Sequence, residues 1–215
     1  MRWINPEVTP VVEIFPDELI NKVEIATRTC YRSEDKITEG SAEKLIRNCL
    51  ARGHESVIEH ASITFKVVCD RGVSHEFVRH RLASYSQEST RYCAYNKGKF
   101  GGELSFVKPW WLNEEGYAAA VEAIDRATFA AEKSYMTMLK EGFPPDVARC
   151  VLPNCLATTL VVTMNMREIR HFLKLRLSPK AHPDIRIIAQ KILQMLVDNG
   201  LEIFVEDIIA TQENN

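Results

Sequence analysis

One polar stretch of the chain, residues 74–92, limits the folds that the sequence can adopt. It reads SHEFVRHRLASYSQESTRY and combines three arginines, two histidines and two glutamates with serines and few large aliphatic residues. A buried core accepts such a stretch only when its charges are paired. The stretch therefore predicts a region that binds an anionic ligand.

The first half of this stretch predicts a short helix over residues 74–82. Ser74 is a suitable N-cap, and three apolar residues at helical spacing give the helix an apolar edge. The helix places three basic residues near its end, the RHR segment: Arg79, His80 and Arg81.

The second half, residues 84–90, predicts a loop, because it has neither helical nor strand periodicity and consists of short hydrogen-bonding side chains. Its hydroxyls, its backbone amides and Arg91 together suit a phosphate, which an arginine binds through charge-assisted hydrogen bonds. The alternative is a solvated, arginine-rich helix end followed by a polar turn.

Composition excludes some classes of protein. The chain has 215 residues, of which 46% are hydrophobic and 26% charged, as in an ordinary globular domain. A formal net charge of −2 argues against a protein that coats nucleic acid. Residues 149–191 nevertheless carry eight Lys or Arg and two acidic residues, so a local positive site remains compatible with this charge.

The cysteines and the N-terminus predict a soluble cytoplasmic protein. The six cysteines show no CxxC and no regular spacing, which indicates reduced thiols and no disulfide framework. The first residues, MRWINPEVTP, lack the apolar core of a signal peptide, and no apolar run reaches the length of a membrane span. We expect neither a membrane nor a nucleic acid as partner.

Periodicity predicts an α+β fold, in which helices flank a small, mostly antiparallel sheet and one long helix is central. We expect a single domain over residues 1–215. No GxGxxG or GxxxxGK[ST] is present, and strands and helices do not alternate regularly, which excludes a Rossmann or P-loop nucleotide site. The predicted strands are residues 11–15, 61–69, 103–107 and 158–164, and the predicted helices are residues 17–31, 41–52, 113–141, 146–152, 166–177, 183–199 and 201–209.

The helix over residues 166–177 predicts one basic stripe, formed by Arg167, Arg170, His171 and Lys174 at helical spacing, and a solvated face is its simplest interpretation. Arg176 projects about 180° away from Arg167, on the apolar side. Because an unpaired buried guanidinium is costly, Arg176 needs either a structural carboxylate or an anionic ligand.

Neither a metal site nor a nucleophile is predicted. The histidines of HESVIEH, residues 54–60, are six apart and do not form an HExxH motif. Ser89 has no histidine near it in sequence to activate it, so we interpret it as a ligand-binding hydroxyl. A salt bridge to an arginine is one role that suits Glu59, and the roles of Glu59 and His54 stay open.

Four motifs together resemble one protein family. The RHR segment is followed after seven residues by Ser89, with Arg91 and Tyr92 behind it, and this resembles the signature of flavin-dependent thymidylate synthases. Three further motifs match in the family's order and at similar spacing: HESVIEH at residues 54–60, ARCVLP at residues 148–153, and NMR with FLKLR at residues 165–167 and 172–176.

The resemblance implies an enzyme that converts dUMP to dTMP. Members of this family are homotetramers with active sites shared between subunits. They bind FAD, take the carbon from methylenetetrahydrofolate and use NADPH as reductant. The flavin would supply hydride, while the protein supplies position.

The resemblance also implies the residues of the site, carried over by matching position. The flavin contacts would be Ser56, Arg79, His80, Arg81, Gln87, Asn165, Met166, Arg167 and His171. The dUMP contacts would be Glu76, Arg79, Gln87, Glu88, Ser89, Thr90, Arg91, Arg149 and Arg176. Glu76, Ser86, Gln87 and His171 depart from the residues that are commonest in the family, although each can form hydrogen bonds.

Arg176 would be the catalytic residue. A fixed cation near the uracil ring favours the form ionised at its third nitrogen and pushes electron density toward the carbon that attacks the methylene donor. This chemistry needs no cysteine thiolate.

Two other functions remain as alternatives. A nucleotide- or RNA-binding module would use the arginines for phosphates and Tyr85, Tyr92 and Tyr95 for base stacking. A different flavoprotein on the same scaffold would bind flavin without turning over dUMP.

Overall fold

The computed structural model describes residues 1–98 and 101–213. It has the predicted α+β fold with a mostly antiparallel four-stranded sheet. The strands are β1 (Arg2–Ile4), β2 (Glu7–Pro10), β3 (Ser62–Asp70), β4 (Ala83–Gln87), β5 (Ser105–Val107) and β6 (Ala157–Asn165). The helices are α1 (Pro16–Thr29), α2 (Ser41–Ala51), α3 (Arg71–Phe77), α4 (Ala118–Lys140), α5 (Pro145–Ala148), α6 (Met166–Arg176), α7 (Pro183–Asp198) and α8 (Glu206–Glu213).

The four-stranded sheet has the order β2-β3-β6-β4, and β1 pairs with β5 in a separate parallel pair. Buried and more exposed residues alternate along β3 and β6, as predicted for strands with one face on the core. Bonds between the two strands show that they are antiparallel, since the partners of later β3 residues come earlier in β6. The amide of Met166 donates to Ala61 O at 2.8 Å, and the hydroxyls of Thr64 and Thr163 lie 2.9 Å apart.

The described residues form two compact units. The first unit comprises Met1–Glu7, Val67–Val78 and Ser86–Leu160, and the second comprises Val8–Lys66, Arg79–Tyr85 and the residues from Val161 onward. The core of the first unit is built around Tyr95, Leu104, Phe106, Tyr135, Ala148 and Leu156. The second unit buries residues of α2, α6 and α7 and of the 3₁₀ helix Glu55–His60, among them Ile46, Ile58, Phe172, Ile188 and Ile192. The prediction of one domain stays a prediction.

Helix α6 is fixed within the second unit by one buried arginine. Arg170 is 2% exposed, and it donates two hydrogen bonds to Asp207, at 2.7 and 2.8 Å, and others to Glu55 and to Phe204 O. The predicted solvated stripe is therefore wrong at Arg170, while Arg167, His171 and Lys174 are exposed. The carboxylates that neutralise Arg170 come from distant parts of the sequence, so the period of α6 could not reveal them.

The predicted strand at residues 11–15 is wrong. The strand of this region is β2, which ends at Pro10, and α1 begins at Pro16. Val12 and Phe15 are exposed, so these apolar side chains do not form a buried strand face. The sequence also gave no sign of the three-residue strand β1.

The predicted helix over residues 74–82 begins and ends earlier. Asp70 is the N-cap of α3, since its carboxylate accepts a hydrogen bond from the amide of Val73 at 2.7 Å. Ser74 instead lies inside the helix and donates its hydroxyl to Arg71 O. Because α3 ends at Phe77, the RHR segment follows the helix and does not belong to it.

The predicted loop at residues 84–90 is wrong for its first half, which is strand β4. This strand lies at one end of the sheet order, and its residues alternate between half-buried and exposed. Edge strands tolerate polar residues because only part of their surface is buried. The predicted helices at residues 113–141 and 201–209 are also shifted: α4 begins at Ala118, and a 3₁₀ helix, Glu202–Phe204, precedes α8.

No helix within residues 1–98 and 101–213 combines the length and the apolar character that crossing a membrane requires.

The two arginines at positions 167 and 170 should differ sharply in their effect on stability. Arg170→Ala leaves two carboxylates without their buried partner, so we expect it to lower the free energy of unfolding by about 3 kcal/mol. Arg167→Ala is the matched control, because the Arg167–Glu59 pair is half-exposed and exposed pairs contribute little. Urea denaturation measures both losses, and equal losses would contradict the anchoring role of Arg170.

Candidate active site

The centre of the site in the second unit is His80, the middle residue of the RHR segment. Its side chain is buried, whereas Arg79 and Arg81 on either side are exposed. The imidazole ring meets the ring of Phe172 edge-on with centroids 4.9 Å apart, and the ring of His171 at 5.7 Å. Two residues of α6 thus hold the His80 ring in one orientation.

Both ring nitrogens of His80 are bonded to residues of α6. Nδ1 lies 3.2 Å from Glu168 Oε1, and Arg176 Nε donates to Nε2 at 3.2 Å. An arginine can only donate, so Nε2 must carry the lone pair and Nδ1 must carry the proton. We call Glu168, His80 and Arg176 the Glu–His–Arg triad.

His80 is neutral in the triad. Burial, with the positive charge of Arg176 and the proximity of His171 as further causes, lowers the pKa of His80 from 6.5 to about 4. Burial also raises the pKa of the Glu168 carboxyl. The contact between Nδ1 and Glu168 is therefore a hydrogen bond from a neutral imidazole to a carboxyl oxygen, and not an ion pair between two full charges.

Tyr85 fixes the backbone of the RHR segment. Its hydroxyl donates to His80 O at 2.7 Å, and burial raises the pKa of this phenol, which keeps it a donor. Tyr85 belongs to β4, the strand that follows the RHR segment. The strand thus holds the backbone at His80, while α6 holds its side chain.

The N-terminus of α6 carries three of the predicted flavin contacts. Asn165 is the N-cap, since its side-chain oxygen accepts a hydrogen bond from the amide of Glu168 at 2.9 Å. Met166 is fully buried, and Arg167 is exposed and pairs with Glu59. Of the roles left open for Glu59, the structure shows the salt bridge to an arginine.

Ser56 lines a separate cleft of about 360 Å³ in the second unit, together with His54, Tyr31 and Arg52. Cys30 and Cys49 also contribute to this cleft.

The site residues of the first unit are held by a second set of hydrogen bonds. The Gln87 amide donates to Ser74 Oγ at 3.0 Å and to Thr158 Oγ1 at 3.2 Å. Glu88 accepts a short hydrogen bond from the hydroxyl of Tyr95, and burial raises the pKa of that hydroxyl. These bonds determine where the chain leaves β4.

Beyond β4, residues 89–93 form a turn. The amides of Tyr92 and Cys93 both donate to Ser89 O, and the amide of Arg91 donates to Ser89 Oγ at 3.3 Å. Thr90 is buried, and Arg91 is exposed, with its guanidinium 5.4 Å from the centre of the Tyr92 ring. This turn agrees with the second half of the predicted loop.

The predicted contacts separate between the two units. Eight of the nine flavin residues lie in the second unit, namely Ser56, Arg79, His80, Arg81, Asn165, Met166, Arg167 and His171. Seven of the nine dUMP residues lie in the first unit, namely Glu76, Gln87, Glu88, Ser89, Thr90, Arg91 and Arg149. Arg79 and Arg176 are the dUMP residues of the second unit.

Ligand atoms of His80, Glu168 and His171 lie within 4.8 Å of one another, close enough for a metal ion. Arg176, however, already donates to His80 Nε2, and a guanidinium beside the ring repels a cation. The hydrogen bonds of the triad account for this cluster without a metal.

Glu168 was missed in the sequence. It lies three residues after the Asn165 N-cap, the spacing of a capping box, in which the glutamate returns to the cap backbone. This spacing indicates a residue at the start of a helix. The Glu168 side chain is instead hydrogen-bonded to His80, which lies 88 positions earlier in the sequence.

Comparison with known proteins identifies the family. Residues 15–199 match the family described as "Thymidylate synthase complementing protein". The chain belongs to this family. The membership predicted from the four motifs is thereby confirmed.

Two proteins that this chain resembles in sequence are named flavin-dependent thymidylate synthases. The chain is 38% identical over 163 residues to the one from Pyrococcus abyssi, covering 75% of this chain and 65% of that protein. It is 35% identical over 185 residues to the one from Geobacter sulfurreducens, covering 81% and 75%. The match thus spans just under two thirds of the Pyrococcus abyssi protein.

A solved structure shows the same fold. It is that of a UMP/dUMP methylase PolB from Streptomyces cacaoi, bound with 5-Br dUMP. The TM-score is 0.78 over 98% of this chain and 97% of that one, at 24% sequence identity.

The neutral state of His80 predicts how stability depends on pH. Between pH 6.5 and about pH 4, His80 is protonated in the unfolded chain and neutral in the folded chain. Acidification through this range therefore lowers the free energy of unfolding by roughly 1 kcal/mol per pH unit. His80→Gln removes this titration, whereas His60→Gln, at an exposed histidine, retains it. Denaturation midpoints at pH 7, 6 and 5 should fall more steeply for wild type and His60→Gln than for His80→Gln, and three parallel curves would contradict a buried neutral His80.

Proposed function

We propose that this chain is a flavin-dependent thymidylate synthase that converts dUMP to dTMP. Its carbon donor is methylenetetrahydrofolate, its reductant is NADPH and its bound cofactor is FAD. It works in the cytoplasm as a homotetramer whose active sites are shared between subunits. Family membership supports the reaction, and the free state of all six cysteines agrees with a reducing compartment.

The observation that carries the proposal is the hydrogen bond from Arg176 to a buried, neutral histidine. Arg176 was the residue predicted to act on the uracil ring, and its Nε donates to Nε2 of the neutral His80 at 3.2 Å, which orients the guanidinium. A carboxylate in place of His80 would cancel much of the positive charge. A neutral imidazole instead orients the guanidinium and adds no negative charge of its own.

The charge of Arg176 performs the proposed catalytic step. Held beside the uracil ring, it favours loss of the proton from the third ring nitrogen, because the anion is stabilised and the neutral ring is not. Electron density then rises at the ring carbon that attacks the methylene group. The protein thus activates the nucleophile by electrostatics, in a site whose donors are already in place.

The cysteines agree with a mechanism that needs no enzyme thiolate. Burial raises the pKa of Cys155 to about 11, and it raises the pKa of Cys49 and of Cys69 as well. These three thiols stay protonated near neutral pH, and a protonated thiol is a poor nucleophile.

The residues present fit a flavin dinucleotide. Arg79, Arg81 and Arg167 are exposed in the second unit, where their side chains can reach the phosphates, and Asn165 and His171 add hydrogen-bonding groups. When bound and reduced by NADPH, the flavin would supply the hydride that reduces the transferred carbon. Arg79, Arg81 and Arg167 would bind its phosphates, and His171, which is exposed beside His80, would contact the flavin.

The residues of the first unit fit the nucleotide. Arg91 is exposed beside the Ser89 turn and would bind the 5′-phosphate together with the backbone of Ser89 and Thr90. Arg149 is exposed as well and would add a second positive contact. Glu76, which would repel a phosphate, would meet a sugar hydroxyl or an arginine.

The RNA-binding alternative loses its stacking platform. Tyr95 is buried and bonded to Glu88, and Tyr85 is bonded to the backbone of His80. Of the three tyrosines that this alternative requires, Tyr92 alone has a widely exposed ring.

The proposed function predicts a yellow protein that releases tritium from 5-tritiated dUMP when folate and NADPH are supplied. Arg176→Ala should lower kcat by about a hundredfold or more, as expected when a preorganised electrostatic group is removed. Arg47→Ala is the matched control, since Arg47 is an exposed arginine of the same unit that pairs with Glu206.

A colourless protein without tritium release would contradict the proposal. A yellow protein that does not turn over dUMP would favour the alternative of a different flavoprotein on the same scaffold. An active wild type with equally active Arg176→Ala would contradict the role of Arg176 alone.

A further inference from the structure

Glu168 has no role in the reaction as described so far, yet its side chain is almost fully buried, with 5% of it exposed. Its position is set by α6, where its amide is bonded to the Asn165 side chain in the first turn. A carboxylate near a helix N-terminus is favoured by the helix dipole, which offsets part of the penalty of burying it. The fold therefore holds a carboxylate at one place, directed at His80 Nδ1.

This carboxylate decides which His80 nitrogen carries the proton. A neutral imidazole has two tautomers, and the hydrogen bond at one nitrogen selects between them. Glu168 accepts a hydrogen bond from Nδ1 at 3.2 Å, which places the proton there and leaves the lone pair on Nε2. Removal of Glu168 would remove this acceptor and its charge from the Nδ1 side of the ring.

The tautomer in turn decides whether His80 Nε2 can accept the hydrogen bond of Arg176 Nε. With the proton on Nε2, two N–H donors would face each other at the 3.2 Å that separates Arg176 Nε from the ring. Arg176 would then have to rotate away. Because a guanidinium is planar, a bond at Nε also fixes the direction of its two terminal nitrogens.

The ring cannot escape this constraint by turning. Phe172 and His171 contact it edge-on, and Tyr85 holds the His80 carbonyl. A change at Glu168 is therefore passed to Arg176 through a ring that has one orientation available.

We propose that Glu168 is a positioning residue of the thymidylate synthase reaction. It holds His80 in the tautomer protonated at Nδ1, so that Nε2 accepts the hydrogen bond of Arg176 and fixes the plane in which the guanidinium meets the uracil ring. The inference rests on the proposed function, and it adds to that function a residue that makes no contact with substrate.

The test combines ¹⁵N NMR of histidine ring nitrogens with kinetics, on the full chain with its flavin. Solid-state spectra distinguish protonated from unprotonated ring nitrogens, and His80→Gln assigns the His80 signals by their loss. Glu168→Leu removes the acceptor at similar volume, and Glu168→Gln keeps a weaker, neutral one. Glu206→Gln is the control, since Glu206 is a paired carboxylate on the surface of the same unit.

In the wild type at pH 7 we expect His80 to be protonated at Nδ1 and unprotonated at Nε2. In Glu168→Leu we expect the proton on Nε2 and none on Nδ1. Glu168→Leu should lower kcat for dUMP by about tenfold or more, as changes in orienting partners do, with flavin content unchanged. The kcat of Glu168→Gln should lie between that of Glu168→Leu and that of the control Glu206→Gln. A wild-type proton on Nε2, or a Glu168→Leu enzyme within twofold of Glu206→Gln, would overturn the inference.

Failure of the proposed function would be recognised separately. A wild type that binds flavin and never turns over dUMP refutes the reaction, and the positioning role falls with it. If the wild type is active and substitution of Glu168 does not change kcat, the positioning role alone is refuted. Should Glu168→Leu fail to fold, the spectrum and kcat of Glu168→Gln decide.

Discussion

The structure of this site depends on one hydrogen bond, from Arg176 Nε to the unprotonated Nε2 of His80. It joins the last turn of α6 to the RHR segment, two parts of the sequence that are 96 residues apart. A charged donor bonded to a neutral acceptor gains strength in a buried setting and keeps its net charge. This bond thus orients the arginine without contributing a negative charge, as the proposed electrostatic role requires.

Helix α6 uses its arginines for three different purposes. Arg170 is buried among carboxylates and anchors the helix, and Arg167 is exposed and forms a surface pair. Arg176, in the last turn, donates from Nε to the neutral imidazole of His80. Position on the helix does not distinguish these roles, because the environment of each arginine comes from segments distant in sequence.

Much of the fold could be predicted from periodicity. The alternation in β3, the β-branched residues of β6 and the apolar spacing of α1, α6 and α7 are local signals, and they predicted these elements with small errors at the ends. Strand β4 could not be predicted in this way, since an edge strand made of serine, tyrosine and glutamine carries no apolar alternation. The start of α3 was misplaced because Ser74 and Asp70 are both acceptable caps, and tertiary packing decided for Asp70.

For the candidate site, the sequence indicated which residues matter better than it indicated the hydrogen bonds between them. The requirement that Arg176 find a partner followed from helical geometry, and the structure confirms that it has one. A carboxylate or a ligand was expected as its partner, and the structure adds a histidine, whose Nε2 can accept because Nδ1 carries the proton toward Glu168. Such a dependence on a third residue cannot be read from spacing, since it is set by which nitrogen carries a proton.

The central claim concerns that proton, and neutron diffraction from crystals of the deuterated protein near neutral pH observes it directly. The account predicts a deuteron on Nδ1 of His80, directed at Glu168, and none on Nε2, where the lone pair meets the deuteron of Arg176 Nε. A deuteron on Nε2, or on both nitrogens, would contradict it.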